Sequence, residues 1–246
     1  MSRARRVHHA AGGLVPDAEI VLSREESHHV ARVFRLHPGD PVSVFDGRGR
    51  EWEGVVQSIQ RGEARVRVGE EVVAAVDPTL PIVLFQGRCR NDRMEWAIQK
   101  STEVGVSAVR IVRTARVEEA ERREAPLERW RRIALEAAKQ SGRRRVPTVD
   151  EAEDLPPVPP SGTVALILTT GHPALPIGDY LRRPRPGAVW LAVGPEGGFT
   201  EPEVGASCGR GWEPAALGPR TLRTETAGVV AAALVLHAWD DVGKSP

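Results

Sequence analysis

Three short, unbroken apolar runs constrain this chain more than any other feature: Pro81–Gln86 (PIVLFQ), Thr163–Thr169 (TVALILT) and Ala188–Val193 (AVWLAV). A strand that is apolar on both faces has to be covered on both faces, which is the situation of a strand inside a parallel sheet. Helical periods lie between these runs. Met94, Ala97, Ile98 and Ser101 share one face of a helix that Asp92 and Glu95 would start and Gly105 would stop. Ala108–Val112 reads as a further strand. Within Arg129–Ser141, Trp130, Ile133, Ala134, Ala137 and Ala138 recur at helical spacing, with Arg131, Arg132, Glu136 and Lys139 on the other face. Thr224–Trp239 is apolar nearly all round, as in a helix buried in a core or against another subunit. Strand and helix alternate, so residues 74–246 are expected to form an α/β domain with a mainly parallel sheet.

The first 73 residues have another rhythm. Pro41–Phe45 runs into the turn dipeptide Asp46-Gly47, and Glu51–Ile59 and Glu63–Val68 are separated by Arg61-Gly62. Ala64, Val66 and Val68 alternate with Arg65 and Arg67, the period of a half-buried strand. Strands at this spacing suggest a small β-barrel. Ser23 and Glu26 have capping-box spacing for one helix within it, which His28–Arg35 would continue.

Charge is informative only when mapped. The net charge is +1, yet Gln86–Arg116 holds 7 basic and 3 acidic residues, and Arg129–Arg145 holds 7 basic and 1 acidic. Acidic residues in Val117–Glu128 and Asp150–Asp154 offset these blocks. Arginine forks match phosphate and stack on bases, so the blocks suggest a polyanion partner. A solvated helix face accounts for the same pattern equally well. Hydrophobic residues make up 41% of the chain, enough to exclude a mainly disordered protein. No run of 18 uncharged apolar residues occurs, and the basic start MSRARRVHHA is not followed by a signal-peptide core. A cytoplasmic protein without a membrane partner is expected. Cys89 and Cys208 stand far apart and outside any CxxC pair, so neither a disulfide framework nor a metal site is expected.

Three segments stand out as chemistry. Val193–Thr200 (VGPEGGFT) leaves a buried strand through a glycine-rich turn and enters a helix that Thr200 and Glu203 would cap. Ligands in open α/β sheets bind at the carboxyl ends of strands, and glycine lets backbone approach them closely. The loop has neither the Lys-Ser/Thr of a P-loop nor GxGxxG, so a nucleoside triphosphate or NAD is not implied. Leu217–Ala227 (LGPRTLRTETA) leads into the most apolar helix, with Thr224 as N-cap and Glu225 in the first turn. Arg220 and Arg223 oppose the dipole of that helix, which suggests a functional placement. His28, Arg32 and Arg35 would share a helix face; two histidines without a third ligand are not a metal site, and a phosphate-facing stripe or a solvated face remain open.

Together these segments resemble the bacterial 16S rRNA methyltransferase E family. The likeness runs in order through HHVARVFRLHPGDPVSVFDGRG, MEWAIQKSTEVGV, RWRRIALEAAKQSGRRRVP, GPEGGFT and LGPRTLRTETA. It implies a small PUA-like β-barrel over residues 1–73 and a SPOUT domain over 74–246, with a trefoil knot and helices on both faces of the sheet. It implies S-adenosylmethionine as cofactor, a homodimer, and methylation of the N3 imide nitrogen of one uridine in 16S rRNA or the small ribosomal subunit. The cofactor would be held by Leu168, Thr169, Thr170 and Gly171; by Gly194, Pro195, Glu196, Gly197 and Gly198; and by Leu217, Gly218, Leu222, Arg223, Thr224 and Thr226. Glu196 and Glu225 are the candidates for accepting the imide proton, and Arg223 for stabilising the charge left behind. Arg32, Arg35, Arg88, Arg93, Lys100, Arg116 and Arg143 would hold RNA phosphates. The chain departs from the family at Gly87–Arg93, where arginine replaces a usual lysine, and at Thr114–Val117, where Arg116 survives without its usual neighbours. A non-catalytic RNA-binding assembly factor, or a SPOUT enzyme acting on tRNA, are the alternatives.

Overall fold

The computed structural model describes residues 5–10, 13–73, 77–117, 126–156 and 158–239. The acidic segment expected to balance the charge of its neighbours falls mostly in 118–125, outside them. The chain divides into two compact units: Met1–Asp77 with Ala138–Val146, and Pro78–Ala137 with Pro147–Pro246. The division expected after residue 73 is therefore found after Asp77, and the first unit also takes 138–146.

The first unit is built on β1 (Arg5–His8), β2 (Glu19–Val21), β3 (Pro41–Phe45), β4 (Glu51–Gln60) and β5 (Glu63–Glu71) in the order β1-β3-β4-β5-β2. β1 runs parallel to β3, and the other neighbours are antiparallel. Ala64, Val66 and Val68 face a core containing Val7, Val42, Val44, Trp52 and Val56, as their alternation requires. The β4–β5 turn has positive φ at both Arg61 (52°) and Gly62 (84°), the two-residue geometry whose twist matches paired strands. Ser23 accepts a bond from the Glu26 amide at the start of α1 (Arg24–His28), but the Glu26 carboxylate pairs with Lys139 at 2.8 Å rather than closing a capping box. α1 does not continue to Arg35. A π-helical turn over His29–Val33 follows it, and Arg35 has φ of 54°. Wider winding shifts the angular register, so the predicted His28–Arg32–Arg35 stripe does not form.

The unit is also locked electrostatically. Arg6 bonds Glu51 at 2.7 Å and the carbonyls of Ala138, Lys139 and Arg143 at 3.0, 3.1 and 2.9 Å. These include carbonyls at the end of α3 (Leu127–Ser141), where a guanidinium satisfies orphan acceptors and suits the dipole. Arg144 takes the second Glu51 oxygen at 2.9 Å, and Arg143 pairs with Asp77 at 2.9 Å.

The second unit holds seven parallel strands: β6 (Ile82–Gly87), β7 (Ala108–Val112), β8 (Thr148–Ala152), β9 (Thr163–Leu168), β10 (Leu175–Pro176), β11 (Ala188–Val193) and β12 (Glu213–Ala216). Their order is β10-β12-β9-β11-β6-β7-β8. The three apolar runs form β6, β9 and β11, the centre of the sheet. Around them lie α2 (Asn91–Val104), the first part of α3, α4 (Ile177–Leu181), α5 (Glu201–Cys208) and α6 (Thr224–Trp239). α6 packs against α2 and against β11 and β6. α2 begins one residue before Asp92 with no side-chain cap, because the residue at its N-cap is Arg90, whose side chain has no acceptor; Glu95 pairs with Arg129 at 2.7 Å. It stops at Gly105, whose φ is 128°. Neither cysteine forms a disulfide among the described residues.

Candidate active site

The sheet order makes β12, β9 and β11 neighbours, so their carboxyl ends open side by side. One cavity of about 570 Å³ lies there. Its walls are the stretch after β9 (Leu168–His172), the stretch after β11 (Val193–Phe199, with Glu201 and Val204), and the stretch between β12 and α6. Loops 50 residues apart in sequence thus meet because their strands exit together.

Glycine makes the second loop. A Cβ on Gly194 would lie 2.7 Å from the Gly198 carbonyl carbon, and a Cβ on Gly87 would lie 2.6 Å from the Pro195 nitrogen. The end of β6 and the turn therefore touch backbone to backbone. The turn closes through the Gly198 amide on the Pro195 carbonyl at 2.9 Å. It is anchored beyond by the reciprocal Thr200–Glu203 capping box. Two arginines hold its outer side: Arg116 donates to the Gly197 carbonyl at 2.6 Å, and Arg93 pairs with Glu196 Oε1 at 2.9 Å.

The third loop is tied to the second by a side chain that sequence reasoning passed over. Gln86 is fully buried at the end of β6 and donates from Nε2 to Thr224 Oγ1 at 2.8 Å. The Thr224 hydroxyl in turn donates to the Gly194 carbonyl. Thr224 is consequently not the N-cap; it is the first residue of α6, and its hydroxyl is committed to the neighbouring loop.

Fourteen of the fifteen residues expected to hold a cofactor line this cavity; Thr226 does not. Of the proton-transfer candidates, Glu196 and Arg223 line it, whereas Glu225 does not; its Oε2 is buried without a hydrogen-bond partner among the described residues. Arg93 and Arg116 reach the rim. Arg32 and Arg35 are exposed in the first unit, and Lys100 is engaged by Glu103 at 2.8 Å. Two phosphate assignments are corrected by burial. Arg88 is 4% exposed and lies over the Trp130 ring at 4.9 Å; Arg143 is 5% exposed and paired with Asp77. Buried guanidinium groups do packing and charge compensation, not surface capture of RNA. His172 and Phe199 also line the cavity. The histidine directly follows Gly171 and the phenylalanine lies inside GPEGGFT, so adjacency to the named loops was the signal available.

Comparison with known proteins bears on this geometry. Residues 76–236 match the RNA methyltransferase domain and residues 22–73 the RNA methyltransferase PUA domain. Relatives from Synechocystis and Mycobacterium bovis, both named ribosomal RNA small subunit methyltransferase E, are each 33% identical, over 89% and 92% of this chain and 73% and 91% of theirs. The chain belongs to the ribosomal RNA small subunit methyltransferase E family. A solved member from Neisseria gonorrhoeae, described as bound to S-adenosyl methionine, superposes with a TM-score of 0.87 at 32% identity, covering 97% of this chain and 99% of that one. Membership makes this chain a methyltransferase, and its seven-stranded unit has the SPOUT architecture that the resemblance implied.

Proposed function

We propose that this chain uses S-adenosylmethionine to methylate the N3 imide nitrogen of a specific uridine in 16S rRNA. The observation that carries the reading is the convergence of three separated loops on one cavity at the carboxyl edge of the sheet. Its size lies within the ~300–1,000 Å³ of small-molecule sites. A Cβ on Gly194 or Gly197 in its walls would meet atoms at 2.7 or 3.2 Å, and Gly198 and Gly218 have positive φ, so backbone lines these stretches; Glu196 and Glu201 stand among Arg93, Arg116, Arg220 and Arg223, a mixed lining that suits a ligand carrying both a cationic centre and a carboxylate. The residues present therefore fit the cofactor. The Neisseria relative is described with the same compound, and the PUA match supports an RNA substrate.

When bound, the cofactor supplies a methyl group on a sulfonium leaving group. The protein orients both reactants and removes a proton. Leu168–Gly171, Gly194–Gly198 and Leu217–Thr224 would hold the cofactor. The neutral imide nitrogen has no available lone pair, so its proton must leave. Glu196 accepts it through Oε2, while Arg93 fixes Oε1. Arg223 donates to a uracil carbonyl as negative charge develops there. The target base has to be unstacked to enter; Arg93 and Arg116 hold the phosphates around it, and Arg32 and Arg35 of the first unit hold phosphates of the same RNA. The enzyme acts as a homodimer in the cytoplasm; Leu234 is exposed on the otherwise largely buried α6, and among the described residues no helix is long and apolar enough to cross a membrane.

Mass spectrometry of 16S rRNA from a strain lacking this gene tests the reading. One N3-methyluridine should disappear and return with the wild-type gene. Intact methylation in the deletion strain, or loss of a tRNA modification instead, would contradict it.

A further inference from the structure

A second cavity, of about 240 Å³, opens on the same carboxyl edge of the sheet, where β7 and β8 end. Phe199 lies in the walls of both cavities, so the two sites are separated by one aromatic side chain. The inner surface is apolar, formed by Val112, Leu155, Phe199 and Ala206, and Arg113 and Arg210 stand in its walls.

The carboxylates nearby are already engaged. Glu203 accepts from the Thr200 and Ala115 amides at 2.7 and 2.8 Å, and Asp154 from the Leu155 amide at 2.7 Å and from Arg210 at 3.1 Å. One cation is left to meet a ligand: the Arg113 side chain is 64% exposed and, among the described residues, contacts only Glu151, at 3.7 Å. An apolar slot with an aromatic wall and a cation beside it matches a nucleobase whose phosphates stay outside. The volume is below the ~300 Å³ at which sites for drug-sized ligands begin, which suits one base and not a second cofactor.

We propose that this cavity receives the base of the nucleotide adjacent to the target uridine. The inference rests on the function proposed above and adds a subsite to it. Holding the neighbour beyond Phe199 keeps the target unstacked and presents it to the cofactor cavity, so the slot contributes to substrate affinity and to the choice of site.

The test fills the slot without touching the cofactor loops. Ala206 is exposed on α5, and Ala206→Leu extends into the cavity. Methyl transfer to small ribosomal subunits should show KM raised about tenfold, since one stacked base is worth ~1–3 kcal/mol, with kcat and S-adenosylmethionine affinity unchanged. Arg113→Gln, at an exposed side chain, should raise KM about threefold, so the outcome does not hang on one variant folding. KM within twofold of wild type in both variants would overturn the proposal. A short single-stranded RNA carrying the uridine, with an abasic residue walked through its neighbours, identifies the occupant. One abasic position should weaken binding to the wild type about tenfold and have no further effect on Ala206→Leu. An equal loss in both proteins would mean that no base occupies the slot. Failure of the wild type to bind S-adenosylmethionine would instead sink the proposed function, and calorimetry of the cofactor alone separates the two cases.

Discussion

Glu196 and Glu51 are both held by arginine, one in the wall of the cavity and one in the interior of the first unit. Glu196 lines the cavity and is held at Oε1 by Arg93, and in the function proposed above its other oxygen accepts the substrate proton. Glu196→Gln keeps the shape and removes the acceptor. Turnover should fall by at least ~10²-fold, the usual worth of a positioned base, with cofactor affinity unchanged. Full turnover in a single-turnover methyl-transfer assay would reduce Glu196 to a loop anchor. Glu51 plays the opposite part. Burial would raise its pKa, but hydrogen bonds from Arg6, Ser43 and Arg144 prevail and hold it below the usual carboxylate value. A pKa lowered by folding stabilises the protein above the unfolded value of ~4.3, and that stabilisation is lost as pH falls through the folded value. The urea midpoint should therefore drop below about pH 4.3. Glu51→Gln should flatten that dependence and cost about 3 kcal/mol at pH 7, because two buried guanidinium groups lose their counter-charge. An unchanged pH profile in the variant would show that the triad does not govern acid stability.

At the scale of elements, the active cavity depends on one hydrogen-bonded chain from β6 through α6 to the loop after β11. Gln86→Leu removes its first link while preserving bulk. About 1 kcal/mol should be lost from the clasp, weakening S-adenosylmethionine binding some fivefold by calorimetry, whereas wild-type affinity would show that the glycine contacts suffice. This link was not legible in the sequence, because Gln86 and Thr224 are brought together only by the fold. What was legible follows from local rules. The runs at β6, β9 and β11 read as buried strands because nothing polar interrupts them, and Gly105 and the Thr200–Glu203 pair marked helix ends that the structure keeps. β12 went unseen: Glu213–Ala216 carries a proline and no β-branched residue, and its strand character comes from pairing with β9. The helix predicted through Arg35 failed because periodicity does not register the π-helical turn. Arg88 and Arg143 were misjudged because composition counts charges without seeing that some are buried.

For the whole molecule, the claim is that three strand ends of one sheet build a clasp for a sulfonium nucleoside, and that all else serves to bring RNA to it. Gly194 packs on the Gly198 backbone within that clasp, and any side chain at Gly194 must displace main-chain atoms. Isothermal titration of S-adenosylmethionine into the intact protein and into Gly194→Val measures the claim directly. The account predicts one molecule bound per wild-type chain and no detectable heat from the folded variant. A wild type that does not bind, or a variant that binds as the wild type does, would contradict it.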